Sequence, residues 1–199
     1  MNNRFHLGRV SSAARSRGAG ALLAALGLGL AGSVAWAQTE PVSASWHPHR
    51  KTFGYIGISP TYSCQGMRDA LTFLLEQSGA KLNRPVNVFP CNGGGPTKLL
   101  SADLSFSTLQ PAQDSGGSES VNGVWRHVEF SLTHSNPQLH GSDCELVSEF
   151  KDMLLPMFTT RNVTSNLRCI PHQTTGNQFD LSFDVLASAD AGRHVGGAD

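Results

Sequence analysis

Apolar residues along this chain form two kinds of pattern: short stretches that alternate with polar residues, and longer stretches with apolar residues three and four positions apart. Alternation predicts a half-buried strand, and three-and-four spacing predicts an amphipathic helix. The strand pattern occurs at residues 53–59, 85–91, 102–109, 124–134, 164–172 and 179–186. The helical pattern predicts two buried stripes, one of Met67, Ala70, Leu71, Leu74 and Leu75 and one of Leu146, Val147, Phe150, Met153 and Leu154.

Local signals place the ends of both helices. Ser63 is a predicted N-cap of the first helix, and Gly79 is its stop signal. Ser142, followed three residues later by Glu145, predicts a capping box for the second helix. Pro156 marks the end of that helix or a kink in it.

The order cysteine, apolar helix, cysteine, Asp-Leu-Ser-Phe strand occurs twice. The residue numbers of Cys64 and Cys144 differ by 80, those of Cys91 and Cys169 by 78, and those of the aspartates that begin the tetrapeptide, Asp103 and Asp180, by 77. This is an internal repeat. It predicts an α+β domain of two βαββ units, with both helices on one face of a mixed or antiparallel sheet. Whether the units share one sheet is left open.

The chain divides into four segments. Residues 1–37 contain four arginines, an apolar run and an Ala35-Trp36-Ala37 cleavage pattern, which predicts a signal peptide removed near Ala37 and a periplasmic or secreted protein. Residues 38–50 are predicted to be an extended lead-in. Residues 51–186 form the predicted domain, with repeats at 51–110 and 124–186, and residues 187–199 a flexible tail.

Four cysteines in an exported protein predict two disulfides. Three pairings are possible, and the repeat selects Cys64–Cys91 with Cys144–Cys169. A strand-helix-strand crossover supports this choice, because the returning strand ends beside the beginning of the helix.

The charge of the mature chain limits its partners. Without residues 1–37 the chain has eleven basic and fifteen acidic side chains, a net charge of −4. Nucleic-acid binding calls for a basic face, so no nucleic-acid partner is expected. No later run approaches the length of a transmembrane helix, so we expect no transmembrane segment in the mature chain.

One end of the domain is a candidate ligand site. The predicted topology gathers Tyr62, Ser63 and the loop Asn92, Gly93, Gly94 and Gly95 near both helix N-termini. Helix N-termini present unpaired N–H groups, and glycines let a ligand approach the backbone, so a small anionic ligand is physically reasonable there. A simple turn after a disulfide explains the same glycines, because no phosphate-binding motif is present.

Three histidines are an alternative candidate site. His134, His140 and His172 could converge at this end and bind zinc or copper, with Asp143 as an oxygen ligand. Their spacing matches no known metal motif, and isolated surface histidines are the simpler interpretation. Otherwise the sequence calls for no cofactor.

Catalytic motifs are weak. Ser78-x-x-Lys81 and Ser148-x-x-Lys151 do not place a serine at the start of a helix, and two disulfides would leave no free thiol. The first hypothesis is therefore a non-enzymatic binding or interaction module for a protein, peptide or small ligand. The alternatives are an envelope metal-binding protein and a hydrolase with an unrecognised site.

Two cysteine motifs resemble a known group of sequences. Thr61-Tyr-Ser-Cys-Gln-Gly66 and Ser142-Asp-Cys-Glu-Leu-Val-Ser-Glu-Phe150 look like segments of exported proteobacterial proteins of unassigned function. The resemblance covers most of the mature chain. It implies a periplasmic setting and two cysteines per repeat, and it carries over no active residue, ligand or partner.

Overall fold

A computed structural model describes residues 41–56, 62–91, 95–112, 120–132, 139–170 and 176–190. Within these residues, seven strands and two α-helices follow each other along the chain. They are β1 (Val42–Ile56), α1 (Cys64–Gln77), β2 (Lys81–Leu82), β3 (Asn87–Phe89), β4 (Leu99–Pro111), β5 (Val121–Ser131), α2 (Cys144–Met153), β6 (Thr160–Arg168) and β7 (Gln178–Ser188). Short 3₁₀ turns, Gly141–Asp143 and Leu155–Met157, flank α2.

All seven strands belong to one sheet. Its order is β2-β4-β1-β5-β7-β6, with β3 also paired to β4, and every pairing is antiparallel. The α+β class is therefore confirmed, and a single sheet runs through both halves of the chain.

The two halves of the sheet meet at a short junction. β1 pairs with β5 only from Val42, opposite Gly123, to Ala44, opposite Val121. By contrast, β1 pairs with β4 along thirteen positions, from Ala44 to Ile56. Beyond the junction, β4 is the strand neighbour of β1 in the described part of the chain.

One face of the sheet forms the main core with both helices. Alternate residues of the strands, such as Phe53, Phe106 and Phe183, belong to the same buried cluster as Leu71 of α1 and Phe150 of α2. Burial of such side chains contributes roughly 1.5–3 kcal/mol each, so this cluster is the main source of stability. The predicted stripe of α1 is buried in full.

A smaller apolar cluster lies on the opposite face, around the junction. Ala44, Leu109 and Leu186 are buried there, and the side chains of Trp46 and Trp125 are half-buried beside them. The alternation of a strand explains the second cluster, since even-numbered residues of β1 point away from Phe53.

The ends of α1 agree with the sequence prediction. The Ser63 side chain accepts a hydrogen bond from the N–H of Gly66 at 3.1 Å, and Gly79 follows the helix with φ of +83°. Arg126 of β5 donates to the carbonyl of Gln77 at 2.5 Å, which adds a positive charge at the helix C-terminus.

The predicted capping box of α2 is wrong. A 3₁₀ turn precedes the helix, and Asp143 accepts a hydrogen bond from the backbone N–H of His140 at 2.6 Å. The side chain that accepts a backbone N–H before α2 is therefore that of Asp143, whereas the sequence pattern predicts this role for Ser142 with Glu145. Pro156 lies in the 3₁₀ turn after α2.

Strand β1 starts earlier than predicted. Residues 42–52 belong to the strand, whereas the sequence pattern placed its beginning at Phe53. The exposed side chains of His47 and Arg50 break the apolar alternation, but pairing with β4 and β5 supplies hydrogen bonds that no local pattern reveals.

Both predicted disulfides are present. Cys64–Cys91 and Cys144–Cys169 join Cα atoms 5.8 and 5.5 Å apart, and each bond ties the start of a helix to the segment after a strand. Among the described residues, no helix is long and apolar enough to cross a membrane.

Candidate functional site

A groove of about 760 Å³ follows one side of α1 and reaches the 3₁₀ turn before α2. We call it the α1 groove. Its lining residues are Tyr62, Gly66, Asp69, Ala70, Thr72, Phe73, Glu76, Gln77, His140, Ser142 and Asp143. The volume falls in the range of about 300–1,000 Å³ that is usual for ligand pockets.

The groove combines apolar and acidic side chains. Ala70 and Phe73 contribute apolar surface, and the Phe73 ring packs edge-on against Phe130 of the core at 6.1 Å. Asp69 and Glu76 are exposed on its α1 side. Among the described residues that line it, none is a lysine or an arginine. These side chains therefore present a negative potential beside an apolar surface.

A buried hydrogen bond closes the end of the groove. Tyr62, just before α1, donates through its hydroxyl to Oδ1 of Asp143, just before α2. Oδ2 of the same carboxylate accepts the N–H of His140. Both oxygens of the Asp143 carboxylate are therefore paired within the protein. The pair is buried, since Tyr62 is 6% exposed and Asp143 4% exposed.

The surroundings of Tyr62 keep its phenol protonated. Burial raises the pKa of Tyr62 far above its usual value, and the negative charge of Asp143 raises it further. A phenol in this state donates a hydrogen bond throughout the neutral range and does not supply a base. The pair therefore joins the beginnings of the two helices.

A second aromatic contact supports this link. The rings of Tyr55 and Tyr62 meet edge to face at 5.3 Å. The Tyr55 hydroxyl donates to Oε2 of Glu145 on α2 at 3.3 Å. Tyr62 thus connects the first half of the chain to the 3₁₀ turn before α2, and Tyr55 connects it to the first turn of α2.

The predicted ligand residues are distributed as follows. Ser63 caps α1, Tyr62 is the buried donor to Asp143, and Gly95 lies exposed at a bend. Asn92, Gly93 and Gly94 lie outside the described residues. A separate cleft of about 440 Å³ beside Cys64 and Cys91 includes Ser63 and Gly95. A ligand role for these residues stays a prediction.

The histidine site has one member in the described part of the chain. His140 lies at the α1 groove, while His134 and His172 lie outside the described residues. Within the described ranges, no three side chains of the metal-ligating types come together. Zinc or copper binding at these histidines stays a prediction.

The sequence predicts three lining residues of the α1 groove as site residues, namely Tyr62, His140 and Asp143, but not the side of α1 that forms the rest of it. Asp69, Thr72, Phe73 and Glu76 follow the spacing i, i+3, i+4, i+7, which places them on one side of α1. That spacing was a detectable signal. The 3₁₀ turn that completes the groove comes from the second half of the chain, and the fold places it beside α1.

Comparisons with known proteins give no assignment. No protein-family model, no curated protein and no solved structure matches this chain. Any functional conclusion therefore depends on the geometry described above.

Proposed function

We propose that this chain is an exported, disulfide-stabilised binding module, and not an enzyme, whose α1 groove binds a basic ligand with an apolar body. A peptide segment in which lysine or arginine alternates with apolar residues has this chemistry. The observation that carries the proposal is the composition of the groove, which is apolar along Ala70 and Phe73 and acidic at Asp69 and Glu76.

Charge complementarity favours this class of ligand. Two exposed carboxylates on one side of a helix attract a cation, and a concave site strengthens their combined potential. Half-buried Phe73 offers a surface for an apolar side chain, whose burial supplies affinity that exposed charges alone do not. An acidic ligand would be repelled by the same carboxylates.

An export setting agrees with the disulfides. The two bonds involve all cysteines of the chain, and bonds of this kind persist in oxidising compartments such as the periplasm. Periplasmic or secreted localisation, with cleavage near Ala37, is part of the proposal.

We further propose that the domain consists of two copies of a βαββ unit related by a pseudo-twofold axis. The strand pairings support this. In the first copy, Trp46 faces Leu109 across β1 and β4, and in the second copy Trp125 faces Leu186 across β5 and β7. The numbers of the two tryptophans differ by 79 and those of the two leucines by 77, and these offsets hold along both strand pairs.

The junction has the same symmetry. Ser43 pairs with Asn122 at its centre, and their numbers also differ by 79. The carbonyl of Ser43 accepts the N–H of Ala112 at 2.9 Å, and the carbonyl of Asn122 accepts the N–H of Ala189 at 3.0 Å. The axis would therefore pass between Ser43 and Asn122. In this duplicated arrangement, the α1 groove lies where the N-terminal ends of the two equivalent helices, α1 and α2, approach each other.

Binding can be tested with two fluorescent decapeptides, one alternating lysine and leucine and one alternating glutamate and leucine. The protein is purified from the periplasm with both disulfides formed, and binding is followed by anisotropy. We expect the lysine peptide to bind and the glutamate peptide not to bind. Added salt should weaken the complex because its charged part is exposed.

Charge reversal locates the site. The double variant Asp69→Lys with Glu76→Lys should weaken binding by at least about tenfold, which corresponds to about 1.4 kcal/mol. The matched control, Glu149→Lys with Asp180→Lys, changes the net charge equally at exposed positions outside the groove. Equal weakening by both double variants, or no binding of the lysine peptide, would refute the proposal.

A further inference from the structure

A second concave site lies away from the α1 groove. It is a cleft of about 440 Å³ formed by β1, β4 and the segment between β2 and β3. We call it the basic cleft. Three of its lining residues are cations, namely Arg50, Lys51 and Arg84.

The basic cleft opens mainly on the face of the sheet opposite the helices. Thr52 of β1 and Asp103 of β4 pair across the two strands, and both are exposed. Their neighbours Phe53 and Ala102 are buried in the main core. Because successive side chains of a strand point to opposite faces, the cleft and the α1 groove are independent sites.

The three cations of the cleft are not neutralised by ion pairs in the described part of the chain. The ion pairs within 4.0 Å there involve His127, Lys151 and Arg161, and none involves the cleft cations. Asp103, the carboxylate among the described lining residues, accepts a hydrogen bond from the Thr52 hydroxyl at 3.0 Å. Like charges that share a concave site repel each other, and a bound anion would relieve that repulsion.

The second half of the domain shows that the sheet does not require these cations. Under the proposed duplication, Thr52 corresponds to Ser131 and Asp103 to Asp180, so a hydroxyl and a carboxylate recur together. The position of Arg50, however, corresponds to Glu129. The positive charge is thus specific to the first half, on a scaffold that also accepts the opposite charge.

We infer that the basic cleft binds a phosphate group, held mainly by Arg50 and Arg84. Guanidinium groups match the oxygens of phosphate in pairs. Ser105, which lines the cleft, is a further hydroxyl donor. The phosphate can belong to a small soluble ester or to a phospholipid headgroup, since both present the same chemistry.

Two probes distinguish these sources. Glycerol 1-phosphate is titrated by calorimetry and by ¹⁵N–¹H NMR at 150 mM NaCl. Vesicles of phosphatidylcholine with and without phosphatidylglycerol are used in a sedimentation assay. Binding of glycerol 1-phosphate, with shifts at Thr52, Arg84 and Ser105, indicates a soluble ester. Binding only to vesicles that contain phosphatidylglycerol indicates a headgroup.

Single charge reversals decide whether the cleft is the site. Arg50→Glu, which introduces the residue found at the corresponding position of the second half, and Arg84→Glu should each weaken binding at least tenfold. The control Arg168→Glu makes the same charge change on β6 and should leave binding unchanged. Circular dichroism checks that the three variants fold.

Three outcomes would overturn the inference. They are no binding of either probe, equal binding by wild type and Arg50→Glu, and a loss of binding in Arg168→Glu as large as that in Arg50→Glu. The result is separable from that of the α1 groove, because Arg50→Glu should bind the lysine and leucine peptide as wild type does.

Discussion

Replacing Tyr62 with phenylalanine tests the link between the two halves of the domain. The change removes the hydroxyl that donates to Asp143 and keeps the ring that packs against Tyr55. Asp143 is 4% exposed, so water cannot easily replace the lost donor. Its remaining protein donor in the described structure is the N–H of His140.

The expected cost follows from the charge and burial of the acceptor. A hydrogen bond to a charged group contributes about 1.5–3 kcal/mol, and leaving a buried acceptor unpaired costs a similar amount. We therefore expect Tyr62→Phe to lower the free energy of unfolding by about 1.5–3 kcal/mol at pH 7. Urea denaturation measures this change, and the slope of the free energy of unfolding against urea concentration should be the same in the variant and the wild type.

A matched control uses the other tyrosine. Tyr55→Phe removes a longer hydrogen bond, 3.3 Å, to Glu145, which is only partly buried. Its cost should be smaller than that of Tyr62→Phe, because this hydrogen bond is longer and its acceptor is partly exposed. A double-mutant cycle with Asp143→Asn should give a clear coupling energy between Asp143 and Tyr62. A Tyr62→Phe cost no larger than that of Tyr55→Phe, or additive effects of the Tyr62 and Asp143 substitutions, would refute this link between the two halves.

The same variant changes the alkaline limit of stability. Burial and the charge of Asp143 raise the pKa of Tyr62 in the folded protein, so the unfolded chain loses this proton first, near pH 10. The contribution of protonated Tyr62 to the free energy of unfolding is complete below pH 10 and declines as pH rises above 10. Tyr62→Phe should flatten this decline in the free energy of unfolding between pH 9 and 11.

Three other predictions concern stability. Replacing the cysteines of either disulfide with serine should lower the free energy of unfolding, measured in urea, by about 3–4 kcal/mol, because each bond closes a loop of 25 to 27 residues. A decrease below about 1 kcal/mol would contradict this prediction. Gly123→Ala should lower the free energy of unfolding by about 1–3 kcal/mol, because the added Cβ would lie 2.9 Å from Cδ1 of buried Leu186 and 3.2 Å from the backbone carbonyl oxygen of Val42. Gly54→Ala meets no atom within 4 Å and should be tolerated, so equal costs for the two variants would contradict this prediction. Burial, and to a lesser extent His47, lower the pKa of His49 in the folded protein, so the stability that neutral His49 contributes is present above pH 6.5 and is lost as pH falls below it. His49→Asn should reduce this loss of stability at acid pH, and an unchanged dependence of the free energy of unfolding on pH would contradict the prediction.

The sequence was most informative where local and repeated patterns agree. The buried stripe of α1, its Ser63 cap and its Gly79 terminus follow from local spacing. The disulfide pairing follows from the repeat, because only one of the three possible pairings keeps each bond within one unit. These features depend on short-range geometry that residue types encode directly.

Long-range pairing explains what the sequence did not reveal. Residues 42–52 look irregular because exposed His47 and Arg50 interrupt the alternation, but pairing with β4 and β5 makes them a strand. Likewise, the partner of Tyr62 is Asp143, in the second half of the chain, and no local pattern assigns that partner. The α1 groove depends on this approach of two distant segments.

An NMR titration tests the proposed binding function most directly. Uniformly ¹⁵N-labelled protein with both disulfides formed is titrated with the decapeptide of alternating lysine and leucine. The predicted result is a set of amide shifts confined to the two segments that contribute residues to the α1 groove, 62–77 and 140–143. Shifts centred on the opposite face, around Trp46 and Trp125, or no shifts at all, would contradict the account.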